Sequence, residues 1–360
     1  MRKKTTLKDI ACFSKGSQIN GDLLLDEGKY EYLNGGTKAS GTWNEFNVNG
    51  KTITISEGGN SCGYVNFMEE KFWCGAHCYY LFDVKCKPKY LYYLLKGNQS
   101  NLMKLRSGAC MPNIKKSDLG NFKFIYDNDV IHQDKIISIF DNLTNVIYFY
   151  EKQIKYFDNL VKARFIEMFG DLKSNEKDWD LKTFEEMSVL ITDGEHSTPK
   201  RTKEGIYLLS ARNILNHYLQ LEDVDYIDRD EYIRIAKRVV PKKGDILISC
   251  SGTIGRCCSV PDCLQFQMVR SVALIRFKEV INPIFAEYMI TSDYLQEQIN
   301  SSKTMSSQAN LFQGKIRKLK GFLPPIELQN QFANFVQQVD KSRFDIKKSI
   351  IELEREVVYD

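Results

Sequence analysis

Cys74-Gly75-Ala76-His77-Cys78 places three soft metal ligands within five residues. A structural zinc site takes four such ligands, commonly as two spaced pairs, and no second pair follows. Buried free cysteines are ordinary core residues, so no metal is expected. Glu69-Glu70-Lys71 has the residue types of a nuclease's carboxylate–lysine cluster, but no upstream Asp supports it, and a solvated turn accounts for it. Ser251-Gly252-Thr253-Ile254-Gly255-Arg256 is glycine-rich yet lacks the lysine of a phosphate loop, and no Gly-x-Gly-x-x-Gly occurs. His196 is one of four histidines and has no nucleophile beside it. Leu323-Pro324-Pro325-Ile326 has the paired prolines of an amino-methyltransferase motif, without the Asn or Asp before them or the aromatic after. No catalytic residue is assigned, and no bound cofactor is signalled.

The elements that would position any site are clearer. From 131 to 169, Ile136, Leu143, Tyr150 and Phe157 recur at one heptad position, and Phe140, Ile147, Ile154 and Val161 at another. This 4-3-4-3 spacing, free of Pro and Gly until Gly170, predicts a long helix with a narrow apolar seam. At ~1.5 Å per residue it is roughly 58 Å long. Adding 196 to each number gives a second seam: Phe332, Val339, Ile346 and Leu353, with Val336, Ile350 and Val357. Arg343 interrupts it, with Phe344 beside it as a replacement, and its charge is expected to reach solvent at the seam edge. The helix starts match as well, Gln133-Asp134-Lys135-Ile136 against Gln329-Asn330-Gln331-Phe332. A shared frame with a matched start predicts two copies of one plan, a globular segment followed by a long helix. A repeat that folds back on itself predicts that the helices pair antiparallel.

The chain has 360 residues, enough for two or three domains. The boundaries expected are 1–126 for a first globular domain, 127–172 for a central spacer helix, 173–324 for a second globular domain and 325–360 for a C-terminal helix. Met1-Arg2-Lys3-Lys4 is not followed by an apolar run, so no secretory signal is expected. No stretch approaches the eighteen apolar residues of a membrane span. Ten cysteines without paired spacing fit free thiols in a reducing cytoplasm. Net charge is +4, but residues 1–125 hold 18 Lys/Arg against 11 Asp/Glu, whereas 126–175 and 326–360 are each −2. The basic excess lies on the globular parts, as expected if those meet a polyanion and the helices meet each other or another protein.

Within the first segment, Leu7-Lys8-Asp9-Ile10 is short and amphipathic, Thr52–Ile55 and Tyr79–Phe82 are strands, and 89–105 is helical. The second repeats this outline. Phe184-Glu185-Glu186-Met187 stands for the first piece, Asp245–Ser249 and Val272–Phe277 are strands, and 283–299 is helical. Met111-Pro112-Asn113-Ile114 corresponds to Gln308-Ala309-Asn310-Leu311. Mixed short strands and helices make each segment α+β.

These residues resemble one family, the specificity subunits of type I restriction–modification systems. Asp193-Gly194-Glu195-His196-Ser197-Thr198-Pro199 looks like the family's Asp-Gly-x-His-x-x-Pro opening of a target-recognition domain, and Ser251-Gly252-Thr253-Ile254-Gly255 like its Ser-Gly-x-x-Gly turn. Tyr32–Gly36 and Gly59–Val65 are similar to another recognition-domain type. Leu323–Gln329 is similar to the Pro-Pro-x-x-x-Gln helix start, and Ala163–Asp171 to the end of a central spacer helix. Two departures are plain: Asp127-Asn128-Asp129 stands where prolines are usual, and no second Phe-x-Glu-Met-Phe-Gly follows before Asp360. The resemblance implies two α+β target-recognition domains separated by two long helices in an antiparallel coiled coil, as a pseudo-two-fold internal repeat. It implies a non-catalytic, cytoplasmic subunit that reads a split double-stranded DNA target. Methyltransferase subunits using S-adenosylmethionine, and a motor-nuclease subunit using ATP and Mg2+, would supply the chemistry. A nuclease or methyltransferase fragment, and a coiled-coil scaffold without nucleic acid, stay open as rival readings.

Loops on a rigid scaffold carry recognition. In the first domain this selects Lys15, Asn34, Lys38, Ser61 and Tyr64 as DNA-facing. In the second it selects His196, Thr198, Lys200, Arg201, Arg212, Asn213, Ser251, Thr253 and Arg256. Lys115-Lys116 and Lys315-Ile316-Arg317-Lys318 are read as phosphate contacts or solvated faces.

Overall fold

The computed structural model describes residues 2–108, 112–301 and 310–359, the side chains of 356–359 excepted. Met111, Gln308, Ala309 and the side chain of Val357 therefore lie outside the described residues. The chain divides into two compact units, Met1–Gln153 with Asp345–Asp360, and Ile154–Phe344. The long helices Val130–Phe169 and Ile326–Tyr359 each run through both.

In the first unit, Arg2–Thr6 pairs antiparallel with Lys123–Asp127. A four-stranded antiparallel sheet follows the order Cys12–Lys15, Cys78–Phe82, Thr52–Ser56, Val65–Met68. Beside it in sequence is a three-stranded sheet in which Tyr30–Leu33 pairs antiparallel with Gly41–Trp43 and parallel with Phe72–Cys74. The second unit repeats every one of these pairings. Leu181–Thr183 pairs with Lys320–Phe322. The four-stranded order is Ser188–Asp193, Val272–Phe277, Ile246–Ser249, Cys257–Ser259. Ile206–Leu209 takes Asp225–Ile227 antiparallel and Phe266–Met268 parallel. The fold is thus a duplicated α+β plan, as the matched segments led us to expect.

Local chemistry is duplicated too. The helix turns Leu7–Ile10 and Phe184–Met187 each begin with a threonine capping box, Thr6 with Asp9 and Thr183 with Glu186. Gln133 and Gln329, 196 apart, are both buried near the start of a long helix. Gln133 Oε1 accepts from Lys87 N and its Nε2 donates to Asp127 O at 2.9 Å. Gln329 Oε1 accepts from Asn282 N at 2.8 Å, and its Nε2 donates to Pro324 O and Val280 O. Each glutamine ties a long helix to the helix that packs on its own sheet, Pro88–Gly97 or Pro283–Thr291.

Along Val130–Phe169 every seam residue from Ile136 to Phe157 is half-buried and Val161 is buried, while most flanking positions are exposed. In the second unit the seams meet. Phe165 and Phe169 lie 5.3 and 5.6 Å from Phe332 between ring centroids, and Asp158 pairs with Arg343 at 2.8 Å. Numbers rise on one helix as they fall on the other, so the pair is antiparallel. Val336 and Val339 join the same core, and Ile346, Ile350 and Leu353 are half-buried. One expectation is corrected. Arg343 keeps the seam position, 19% exposed, bonded to Asp158 and Asp340, and Phe344 is 67% exposed and replaces nothing. A charge that finds two carboxylates at the seam has less reason to reach for water.

Candidate nucleic-acid interface

In each unit the strand ends gather several loops at one place. In the first, Ser17 N donates to Cys74 O at 2.9 Å, Glu57 N to His77 O at 2.9 Å, and Ile114 N to Glu57 O at 2.9 Å. Asn34 Oδ1 accepts from His77 N at 3.1 Å, and Ser61 Oγ donates to Gly35 O at 2.6 Å. Lys15 forms an ion pair with Glu57, whose carboxylate also lies 3.8 Å from His77 Nδ1. Lys15, Asn34 and Ser61 are therefore brought together around Glu57 and Gly35. Lys38 is exposed on the loop that follows. Tyr64 ends the 57–64 turn with Lys96 Nζ 3.8 Å from its ring centre, a cation–π contact. His77 joins this cluster, its side chain 62% exposed. Cys74 and Cys78 are buried core residues. The nine described cysteines are all free thiols, and Cys110 lies outside the described residues.

The second unit gathers the equivalent loops. Gly194 N donates to Val272 O, Arg270 N to Glu195 O, Cys250 N to Ser271 O and Leu311 N to Cys250 O, each at 2.8–2.9 Å. Ser251 bridges Asn310 as Gly58 bridges Asn113. The turn after Ile246–Ser249 is closed by Ser249 Oγ, which donates to Thr253 O at 2.7 Å and accepts from Arg256 N at 3.0 Å. Thr253 is left exposed, with Ser251 and Arg256 half-buried. His196 lies 3.7 Å from Asp193. Burial pushes the Asp193 carboxyl above its ordinary value, against the opposing pull of His196, Arg238 and Arg317. Arg201 and Arg212 share Asp225, at 2.9 and 3.1 Å, and Thr198 and Lys200 are exposed.

Asn213 corrects the site expectation. It is fully buried, its Oδ1 accepting from Ser210 N and its Nδ2 donating to Gln220 O and Asp223 O, so no polar atom remains for a base. Within Lys315–Lys318, Ile316 is core, and Arg317 donates to Ile191 O at 3.0 Å and pairs with Glu185. Sequence reasoning left out Glu57, Glu195 and Arg234, because acidic residues and a helix arginine carry no local signal, and considered His77 only with Cys74 and Cys78. The fold brings Glu57 and His77 together in one unit, and Glu195 and Arg234 in the other.

A duplicated sheet plan that gathers Lys, Arg, His, Asn, Ser and Thr at its strand ends can donate to phosphates and read base edges. The profile of the type I restriction modification DNA specificity domain matches residues 2–156 and 176–355. A Mycoplasma pneumoniae protein named as a type I specificity subunit is 38% identical over 144 residues, 38% of each chain. Another from Mycoplasma genitalium is 31% identical over 218 residues, 59% of this chain and 55% of that protein. The matched stretches thus span 38% and 55% of these two relatives' own lengths. The crystal structure of a type I restriction–modification S subunit from M. genitalium superposes with a TM-score of 0.58 at 22% identity, covering 99% of this chain and 94% of that one. A chain from a structural study of complex assembly and conformational transition in the type I system gives 0.60 at 12% identity, covering 99% and 95%. With the duplicated fold and the profile matched across both copies, the chain belongs to the family of type I restriction–modification DNA specificity subunits.

Proposed function

We propose that this chain is the sequence-reading subunit of a type I restriction–modification complex. Each globular domain reads one half of a split double-stranded DNA target through its gathered loops. The observation that carries this reading is the duplication itself: one sheet plan, twice, ending each time in a polar loop cluster. Half-sites read from one face of a duplex recur at about 34 Å, one turn. Arg, Lys, Asn and His side chains contact phosphates and base edges, and the Gly-containing turns let backbone approach the strand.

The chemistry belongs to partners. Methyltransferase subunits would bind S-adenosylmethionine, and a motor-nuclease subunit would bind ATP and Mg2+, so this chain needs none of them. The long helices support a role in holding such partners, because they leave Ile139, Phe149, Tyr156 and Ile166 more than half exposed. No helix among the described residues is long and apolar enough to cross a membrane. We place the complex in the cytoplasm, where DNA and its partners meet.

Filter binding of the full chain to mixed duplex across a salt series tests the DNA reading. Retention should fall with salt, with a slope of about −0.9 per phosphate contact. A scaffold without a nucleic-acid role would retain no duplex at any salt. Methyl transfer or cleavage by the purified chain alone would instead favour an enzyme fragment.

A further inference from the structure

The strand Ser188–Asp193 ends at Gly194 and passes the chain to residues 195–201, which carry His196, Thr198, Lys200 and Arg201. The first unit has the same junction, Cys12–Lys15 followed by Gly16. Both glycines allow a close approach of backbones. A Cβ on Gly16 would lie 1.8 Å from Cys74 O, and one on Gly194 2.4 Å from Met268 O.

Beyond this junction the two loops are held by different means. In the first unit Trp73 Nε1 donates to Ser17 O at 2.7 Å, and Asn34 Nδ2 to Gln18 Oε1 at 3.2 Å. The second unit uses an insertion. Residues 44–51 link Gly41–Trp43 to Thr52–Ser56 in the first unit, whereas 228–245 link Asp225–Ile227 to Ile246–Ser249 in the second. The longer link contains the helix Arg229–Ala236, capped by Asp228. From this helix Arg234 reaches Glu195 Oε1 at 3.4 Å and Ser197 Oγ at 3.2 Å. Glu231 accepts from Arg234 Nε and Nη2, both at 2.9 Å, and from the Lys200 backbone N–H at 3.2 Å. Glu195 itself accepts from Ser197 N at 3.1 Å. One arginine fork therefore joins the carboxylate that holds the start of the loop to the carboxylate that holds its end.

We infer that Arg234, acting with Glu231, is the positioning residue that sets the 195–201 loop in its DNA-reading shape. The inference rests on the DNA reading proposed above. The loop's ends are pinned by Glu195 N to Met268 O and Thr202 N to Tyr226 O, and Pro199 is buried. Thr198 and Lys200 are exposed, and between those anchors the fork and the two carboxylates tie the loop to the helix. A loop fixed before binding does not lose the freedom that a mobile one must give up on the duplex, and it cannot shift to accept a wrong base. Lysine at position 234 keeps the charge but cannot form the fork, so it should not substitute.

The test uses the full chain co-expressed with its host's methyltransferase subunits, as wild type, Arg234→Lys and Arg234→Met. Amide exchange is followed at Ser197 and Lys200, whose N–H groups donate to the Glu195 and Glu231 carboxylates, and base preference is read by selection from random duplex. Exchange at these two amides should rise about tenfold or more, as for a loop released from its tether. Preference should fall roughly tenfold at one half-site and stay intact at the other, which serves as the internal control. If Arg234→Met does not fold, Arg234→Lys decides. Unchanged exchange in the folded variants overturns the brace. Raised exchange with both half-site preferences intact, or with both lost alike, overturns its link to reading. A wild type that selects no sequence overturns the DNA reading itself, and the exchange result still decides whether Arg234 holds the loop.

Discussion

Replacing Gln329 with Met should be among the most damaging single changes at the base of the second globular domain. Gln329 is fully buried and satisfies three backbone groups: the Asn282 N–H, the Pro324 carbonyl and the Val280 carbonyl. Methionine matches its length and fills its space, so packing changes little and the loss is polar. Each buried group left without a partner costs about 1–3 kcal/mol. Three of them amount to about 3–5 kcal/mol after some relaxation, within the range of the large mutational effects. For a unit the size of Ile154–Phe344, about 2–4 °C is lost per kcal/mol, so the melting transition should fall by roughly 6–20 °C. Gln133→Met removes two such partners, Lys87 N and Asp127 O, and should cost less. Calorimetry of the full chain, with urea titration as a check, reads both. A Gln329→Met transition within about 0.5 kcal/mol of wild type, the range of a surface change, would refute the reasoning.

Phe332→Ala removes a fully buried ring that meets Phe165, Phe169 and Tyr288, and should cost about 3–5 kcal/mol in chemical denaturation; a loss under about 1 kcal/mol would mean that the antiparallel seam does not close there. Asn213→Ala should lower stability while leaving base preference intact, since its amide is spent on the protein's own backbone; a relaxed base preference in a stable variant would restore Asn213 to the DNA face. Asp193 has its pKa raised above the usual 3.8 by burial, so the folded state holds its proton more tightly than the unfolded one. Its contribution to stability therefore falls as pH rises through the raised value, and Asp193→Asn should be more stable than wild type at pH 7. That advantage should shrink as pH is lowered towards 3.8, and a pH-independent difference in urea midpoints would show that burial is not its cause. The Glu195 and Glu231 carboxyls are held below their usual range, by Ser197 and by Arg234 respectively. Their contributions are present above an unfolded value near 4.5 and are lost as pH falls through the lowered folded values, so the protection of the loop amides, taken relative to the intrinsic exchange rate at each pH, should fall in acid.

The helices and the duplication were legible because both are periodic. Ile136 to Val161 repeat in sevens, and Gln133 and Gln329 fall at the same point of the frame. The short turns Leu7–Ile10 and Phe184–Met187 were visible for the same reason, as a pattern that returns, whereas their threonine capping boxes emerged only in the fold. What was not legible depends on contacts far apart in the chain. His77 meets Asn34 across 43 residues, and Arg234 meets Glu195 across 39. Neither pair has a local pattern, and Arg234 also makes an ordinary i,i+3 contact with Glu231, which reads as a solvated helix face. Asn213 failed in the opposite sense: a polar residue in a turn suggested a surface, but the turn closes over it and uses its amide. Arg343 was misplaced because the heptad frame alone does not show that Asp158 faces it from the other helix.

The central claim is that two copies of one reading domain specify one split DNA sequence. Sequencing of methylated bases across the host genome, with and without this gene, tests it most directly. The account predicts that deletion removes methylation at one motif made of two defined half-sites separated by unspecified bases, and that Arg256→Ala alters only one of those halves. An unchanged methylation pattern on deletion, or the loss of a single continuous motif, would contradict it.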